Sequence, residues 1–600
     1  MKTKILILAL LVSTNFSQTK TYNFDEIIIS GGRRPLQFGE LARTVSVLSA
    51  ADISKLPVNN FQDLLKFING LDLRSRGTEG VQSDISIRGG SFEQTLILID
   101  GIKIIDPQTG HHNLNLPLNL DNIERVEIIK GNGTKVFGSN AFSGAINFIT
   151  KKKNTNSFAT SALIGEHGLF DLSFSASSNL NNNFFISRKK SDGYRFNTNF
   201  KNDIFSFSQN FVGEKSNFNL FLGYTDKNFG ANSFYSDRFP NQSERTLTRF
   251  ASLNGDMIIN QFIITPKLFY RNNFDDYHLD FLRPDWNHNT HFTEYYGGEI
   301  QASLNSSIGQ ITSGLEFTED KINSSNLGTH SRNQLGFFIE HNYNVKKSFS
   351  ISSGLFIYKY PNLKWKVWPG IDIGYFLDEH HKVFGSFGKS FRVPTYTELF
   401  YVSPANMGNP NLVYEGTINY EIGYNFLEEF FEISSSIFYK NGNNLIDLVR
   451  KTKTDAWKVE NVSNLKTTGF ELTFTLLPKF VMAEIPISLL KFDYTFLSSN
   501  RNIGSYESKY LLDNLKHKLI VHFIHELFFD VETSWSIRYE KRENFDWRFL
   551  VDTQILKNLN SFSLFIRANN LFNKTYFDYP GVILPGRWIS AGIKYSLEFN

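Results

Sequence analysis

The adjacent imidazoles of His111 and His112, set in "DPQTGHHNLN", are a pair that could take a metal ion or a haem. The Gly, Asn and Gln residues around them suit a polar loop exposed to solvent, and that is the expectation for both. A second run, "DDYHLDFLRPDWNHNTH" from Asp275 to His291, gathers carboxylates, imidazoles and aromatic rings in what reads as an external loop. Its carboxylates could hold Ca2+, although their spacing is not that of an EF-hand and a solvated loop is the default. With no cysteine in 600 residues, neither a thiolate metal site nor a disulfide can form. No GxSxG, HExxH or phosphate-loop pattern stands out, and "GNGTKVFG" lacks the Lys-Ser/Thr ending of the last of these. The chain is therefore read as no enzyme, with no catalytic residue, no assigned metal and no required cofactor. Its 62 basic and 59 acidic residues leave a formal charge of +3, which gives no electrostatic case for nucleic acid.

Two textures position these residues. Up to about Lys151 the sequence reads as a compact α+β domain. Asn60 can cap a helix with Phe61, Leu64, Leu65 and Ile68 on one face and Gly70 past its end. "TLILIDGIKII" reads as a hairpin turning at Asp100-Gly101, and "ERVEIIKG" as a further strand. Beyond about Phe158, strand follows strand. Phe170, Leu172, Phe174 and Ala176 alternate with Asp171, Ser173, Ser175 and Ser177, and the same period returns at Phe562, Leu564, Ile566 and Ala568.

A soluble propeller or solenoid would show a fixed repeat, and none is found. One apolar and one polar face, kept up over ~440 residues, predicts a transmembrane β-barrel with lipid against its aromatic face and water against its serine-rich one. At roughly 20 residues per strand and connection this gives about 22 antiparallel strands, the size of barrels that carry a plug. The start of the chain reads as an export signal over residues 1–17: Lys2 and Lys4, then the short apolar run Ile5 to Val12, with cleavage between Ser17 and Gln18. No later stretch approaches the ~20 apolar residues of a spanning helix.

"DISIRGGSFEQTLILIDGIKI" followed by "NIERVEIIKGNGTKVFGSNAFSGAINFITK" is similar to the plug domain of TonB-dependent outer-membrane receptors. "SFRVPTYTELF", "GNPNLVYE" and the closing "NNLFNKTYFDYPGVILPGRWISAGIKY" resemble barrel landmarks of the same family. The resemblance implies a periplasmic segment over 18–39, a plug over 40–152 lodged in the lumen, and a barrel over 153–600 in the outer membrane of a Gram-negative bacterium. "DEIIIS" then resembles the TonB box, so that Asp25, Glu26, Ile27, Ile28 and Ile29 would meet TonB, driven by ExbB and ExbD, as a strand with no partner of its own. By the same resemblance Arg88, Gly89, Arg125 and Glu127 match positions that lock plug to wall. Arg76, Gln94, His111, His112 and Asn113 fall in plug loops that would face the ligand.

Haem receptors of the family carry a histidine between the FRAP and NPNL motifs. Here "TYTELFYVSPANMG" has none, which disfavours haem. The short lead and the plug most resemble the vitamin B12 (cobalamin) subgroup, with a ferric siderophore as the alternative ligand. The calcium-binding aspartate cluster of that subgroup is not evident in the plug here, which leaves the carboxylates of the expected extracellular loops as the candidates for Ca2+, and a surface lipoprotein is a candidate partner at the mouth. A passive porin or an adhesin is the rival class, and neither needs a plug or a box.

Overall fold

The computed structural model describes residues 28–29, 33–34, 36–37 and 41–599, apart from 237, 346–347, 361–363, 503–505 and 510–513. The export signal and Asp25, Glu26 and Ile27 lie outside the described residues.

From Asn156–Gly165 to Trp588–Phe599 the chain forms a closed antiparallel barrel of 22 strands. It closes on itself with Asn156 opposite Phe599 and Gly165 opposite Ser590. Closure leaves no row of unpaired amides, the condition for placing strands in hydrocarbon. The burial pattern is inverted relative to a soluble protein, as the alternation in sequence predicts. In the strand Leu169–Ser178, Leu172 and Phe174 are 47% and 40% exposed, whereas Asp171 and Ser173 are 9% and 4% exposed. Ile300, Leu315, Ile422, Ile437 and Ile566 likewise face outward. Glu316, Thr318, Lys189 and Arg271 face in and are buried, because something fills the lumen.

The two rims differ. Where the first and last barrel strands begin and end, connections such as 179–181, 214–215 and 260–261 are tight. At the opposite rim they lengthen, to 231–242, 279–287, 393–414 and 570–587. Short turns are periplasmic and long loops extracellular in such barrels, which orients the molecule. The run Asp275 to His291 is less of a loop than its composition suggests. Strands Phe262–His278 and His288–Ser306 enclose only 279–287, and Asp275 and Asp276 point to opposite faces by the period of two.

The lumen holds the plug. Its sheet has the order Val45–Ser49, Ile123–Lys130, Gly144–Thr150, Thr95–Ile99, Ile102–Ile104, with one parallel pairing, Thr95–Ile99 beside Gly144–Thr150. Asp100 and Gly101 make the expected two-residue turn, both at positive φ (49° and 76°), a conformation that Asp-Gly adopts at little cost. Asn60 caps its helix by accepting the Asp63 N–H at 2.8 Å. That helix is shorter than the apolar spacing suggests: Phe61–Leu64 is α, and a 3-10 turn runs on to Phe67. The chain must then pass the wall at Gly70, where φ is 73° and a Cβ would collide with Glu471 Oε1. The plug core, around Leu64, Leu71, Ile97, Ile128 and Phe148, continues into the wall through Phe221, Phe250 and Ile520.

Candidate functional site

Three sets of contacts hold the plug and define its working ends. In the middle of the lumen, Arg88 lies at φ 49°, just before Gly89 at φ 70°, and this turn drives its guanidinium into the wall. Its nitrogens reach Glu421 at 2.7 Å and both oxygens of Glu471 at 3.0 Å, while the plane stacks 4.2 Å from the Phe438 ring. Lys130 of the plug adds a 3.1 Å contact to Glu471. All these charges are buried, so each depends on the others for its solvation. Arg125 pairs with Glu124 and Glu127 of its own strand, at 3.1 and 2.9 Å, and Asn147 also donates to Glu127. Beside Arg88, Lys130 is a second plug cation that reaches the wall.

Toward the periplasm the described part of the N-terminal segment is not a lone strand. Ile28–Ile29 pairs antiparallel with Leu36–Gln37, Ile28 opposite Gln37 and Ile29 opposite Leu36. Between them the chain is pinned to the barrel. The Arg33 N–H donates to Glu340 at 2.7 Å, its guanidinium donates to Glu299 at 2.7 Å and lies 3.4 Å over Phe338, and Arg34 donates to Asp256 at 2.7 Å. Sequence reading missed both arginines, since a charged pair after two glycines reads as a solvated linker.

At the extracellular end, the hairpin Leu71–Ser75 with Ser83–Ile87 and the loop 105–115 form the apex. Arg76 donates to Asp84 at 3.0 Å, and His111 meets the other Asp84 oxygen at 2.6 Å. His111 stacks on Phe92, Tyr579 donates its hydroxyl to Asp84, and Arg76 lies over the Tyr579 ring. Burial alone would raise the Asp84 carboxyl, but His111, Arg76 and Tyr579 hold it well below the usual carboxylate range. Arg76 and His111, both expected at the ligand-facing surface, thus come together, with Asp84, Tyr235 and Tyr579 as neighbours that local sequence did not flag.

The other expected loop residues go elsewhere. His112 is not in a solvated loop: it is 3% exposed and set against Glu244, Asp275 and Asp106. Burial opposes charge on its ring, yet those carboxylates raise it to about 9. Gln94 is turned into the wall, donating to Glu415 at 2.8 Å, and Asn113 closes its own loop by accepting the Asp106 N–H.

The "FRVP" and "NPNLVYE" landmarks have a shared physical purpose. Arg392, 1% exposed, donates to Glu398 through both terminal nitrogens (2.8 and 2.9 Å) and to Glu415 at 2.8 Å. Thr395 caps the helix Tyr396–Phe400 with Glu398 in a reciprocal box. The loop so folded presents the N–H groups of Tyr396 and Thr397 to the Pro107 and Gln108 carbonyls of the plug, at 2.9 and 3.0 Å. Removing the cation by Arg392→Gln leaves the buried Glu415 and the half-buried Glu398 without their counter-charge, held by the neutral donors Gln94, Ile446 and Thr395. Amide exchange is then expected to rise together in 393–402 and 105–113, with little change in strands of the far wall; unchanged exchange in the plug loop would show the two to be independent.

A 22-stranded barrel stoppered from within, with its long loops docked on the stopper, is a gated transporter of the outer membrane. The chain belongs to the TonB-dependent receptor family: residues 138–599 match the family model "TonB dependent receptor-like, beta-barrel" and residues 39–145 match "TonB-dependent Receptor Plug Domain". Its activity is TonB-dependent transport across the outer membrane. Among its relatives, the vitamin B12 transporter BtuB of Vibrio vulnificus (strain YJ016) is 23% identical over 484 residues, 75% of each chain. The fold is also that of the siderophore receptor PirA from Pseudomonas aeruginosa (TM-score 0.75, 17% identity, 93% of this chain and 100% of that one). A variant of the ferric enterobactin receptor PfeA from the same organism superposes with TM-score 0.78 at 16% identity, over 95% of this chain and 100% of that one.

Proposed function

We propose that the chain imports a corrinoid, taken up at the apex formed by Arg76, His111, Tyr235 and Tyr579 and released when TonB, powered through ExbB and ExbD, pulls on the segment around Ile28. The observation that carries the reading is the plug itself. Buried ion pairs hold it on every side, so passage needs work, and the outer membrane offers no nucleotide to supply it. The corrinoid assignment is supported by the extent of the likeness to B12 transporters, and by an apex whose rings, Tyr235 and Tyr579, surround an ion pair already matched within the plug, Arg76 with Asp84. A ferric siderophore is the second reading. It is favoured by the cations Arg76, Arg450 and Lys509, which suit an anionic chelate although Arg76 pairs with Asp84 and Arg450 with Glu507.

The deciding measurement is equilibrium binding of the purified protein to cyanocobalamin and to a panel of ferric siderophores, followed by uptake of the winner in cells. Binding of the corrinoid alone is expected, with uptake lost and binding kept when the proton gradient is collapsed. Preference for an iron chelate would transfer the assignment to the second reading. Uptake indifferent to the gradient would overturn the energy coupling.

A further inference from the structure

We propose that His112, Glu244 and Asp275 form a binding site for one divalent transition-metal ion of the zinc class, held between the plug and the barrel wall. The three residues come from the plug loop and from two neighbouring wall strands, Ser243–Ile259 and Phe262–His278. They are 3%, 3% and 4% exposed, and one ligand atom from each lies within 4.8 Å of the other two. His112 Nε2 and Glu244 Oε1 stand 3.3 Å apart. Two donors each about 2.05 Å from a tetrahedral zinc ion are themselves about 3.3 Å apart, so this pair is already spaced for an ion between them.

A further observation points to a cation. Asp275 Oδ2 accepts from Gln108 at 2.8 Å, but Asp275 Oδ1 is buried without a hydrogen-bond partner among the described residues. A buried carboxylate oxygen left bare is costly and calls for a partner. Asp106 is matched by Arg271 at 3.0 Å. Glu244 faces His112 and also the Lys227 ammonium, which bonds the carbonyls of Gly80 and Val81 and keeps its charge. A metal ion would take the place of the proton that His112 holds without it.

The surroundings fit as well. Gln108 Oε1, buried and without a partner among the described residues, belongs to the side chain already bonded to Asp275 and is the candidate fourth donor. Tyr235 donates to the second Glu244 oxygen at 2.8 Å and fixes that carboxylate. On the far side of the ring, His112 Nδ1 is 3.2 Å from the Asn273 amide and 3.9 Å from Asp106. The Asn273 amide nitrogen faces Nδ1 and its oxygen accepts from the Thr248 hydroxyl at 2.7 Å, so a metal on Nε2 requires this amide to turn over and give the Nδ1–H an oxygen partner. One nitrogen among oxygen donors suits zinc and its neighbours; calcium would take six or more oxygens. The ion would tie the apex loop to two wall strands whichever nutrient the receptor carries, so the site stands apart from the corrinoid reading.

The test uses the purified full-length protein in detergent, stripped with chelator and titrated with Zn2+, and with Co2+ as a spectroscopic probe. One tight equivalent is expected, with a ligand-field absorption for Co2+ and a higher unfolding temperature with either ion. Asp275→Asn, which keeps the shape of the site, and His112→Gln should each abolish that equivalent and the thermal gain. His288→Ala should keep both; His288 belongs to a separate, more exposed Asp276, His278 and His288 cluster on the outer face. Should His112→Gln fail to fold, Asp275→Asn decides. No tight equivalent in the native protein, an unchanged one in Asp275→Asn, or its loss in His288→Ala overturns the proposal.

Discussion

Ile28→Pro is expected to reduce nutrient uptake to the level of cells without a proton gradient while leaving ligand affinity unchanged. Proline removes an amide donor and fixes φ, so position 28 can no longer serve both its own pairing and a partner strand. The structure sharpens this expectation. Ile28–Ile29 already forms a minimal antiparallel pair with Leu36–Gln37, so a partner must add to the free edge or displace that pair. Traction on it is passed to Arg33 and Arg34, which are bonded to Glu340, Glu299 and Asp256 of three wall strands. The first event of transport would then be extraction of this arginine pair from the wall. Ile28→Val, which keeps a β-branched residue and its N–H, should transport normally. Full uptake by the proline variant would refute the role given to this segment.

Arg88→Ala should unseat the plug without unfolding the barrel. Losing the guanidinium strands two buried carboxylates: Glu421, left with the Thr44 hydroxyl, and Glu471, left with Lys130. Breaking such a buried arrangement from one side costs about 3–5 kcal/mol, and here the cost falls on the docking of one domain against another. The strand ladder of the wall makes no use of Arg88 and is expected to stay intact. In planar bilayers the variant should conduct where the native protein is closed, and amides of the plug sheet should exchange faster. Arg88→Lys keeps the charge but loses the fork that reaches both acids, and should fall between the two. A closed barrel with native exchange in Arg88→Ala would mean that the remaining contacts suffice.

These two residues also separate what is local in this protein from what is not. Arg88 in "IRGG" is singled out by its match to the family's plug, and the glycines after it permit the tight path its backbone takes. Nothing near it names Glu421 or Glu471, which lie more than three hundred positions on. The Asp100-Gly101 turn, the Asn60 cap and the alternation of outward apolar with inward polar side chains are written in neighbouring residues. In the strand Leu169–Ser178 that alternation sets Leu172 and Phe174 against Asp171 and Ser173. Strand number follows from the length of the alternating region. Each of these features depends on a residue and its next few neighbours.

The reverse holds for His111 and His112. As a sequence they are one polar pair; as a structure they part company, His111 stacking on Phe92 beside Arg76 and His112 buried against Glu244 and Asp275. Arg33 and Arg34 change from linker residues into anchors in the same way. Sequence by itself determined the barrel, because period-two alternation and turn chemistry act over a few residues and survive any arrangement of the whole; the plug and the family were legible through the resemblance of their ordered motifs. Which charges meet across the lumen was decided only by tertiary structure. Those partners are set by how the closed wall staggers its strands and how the plug is rotated inside it, and no local pattern encodes either.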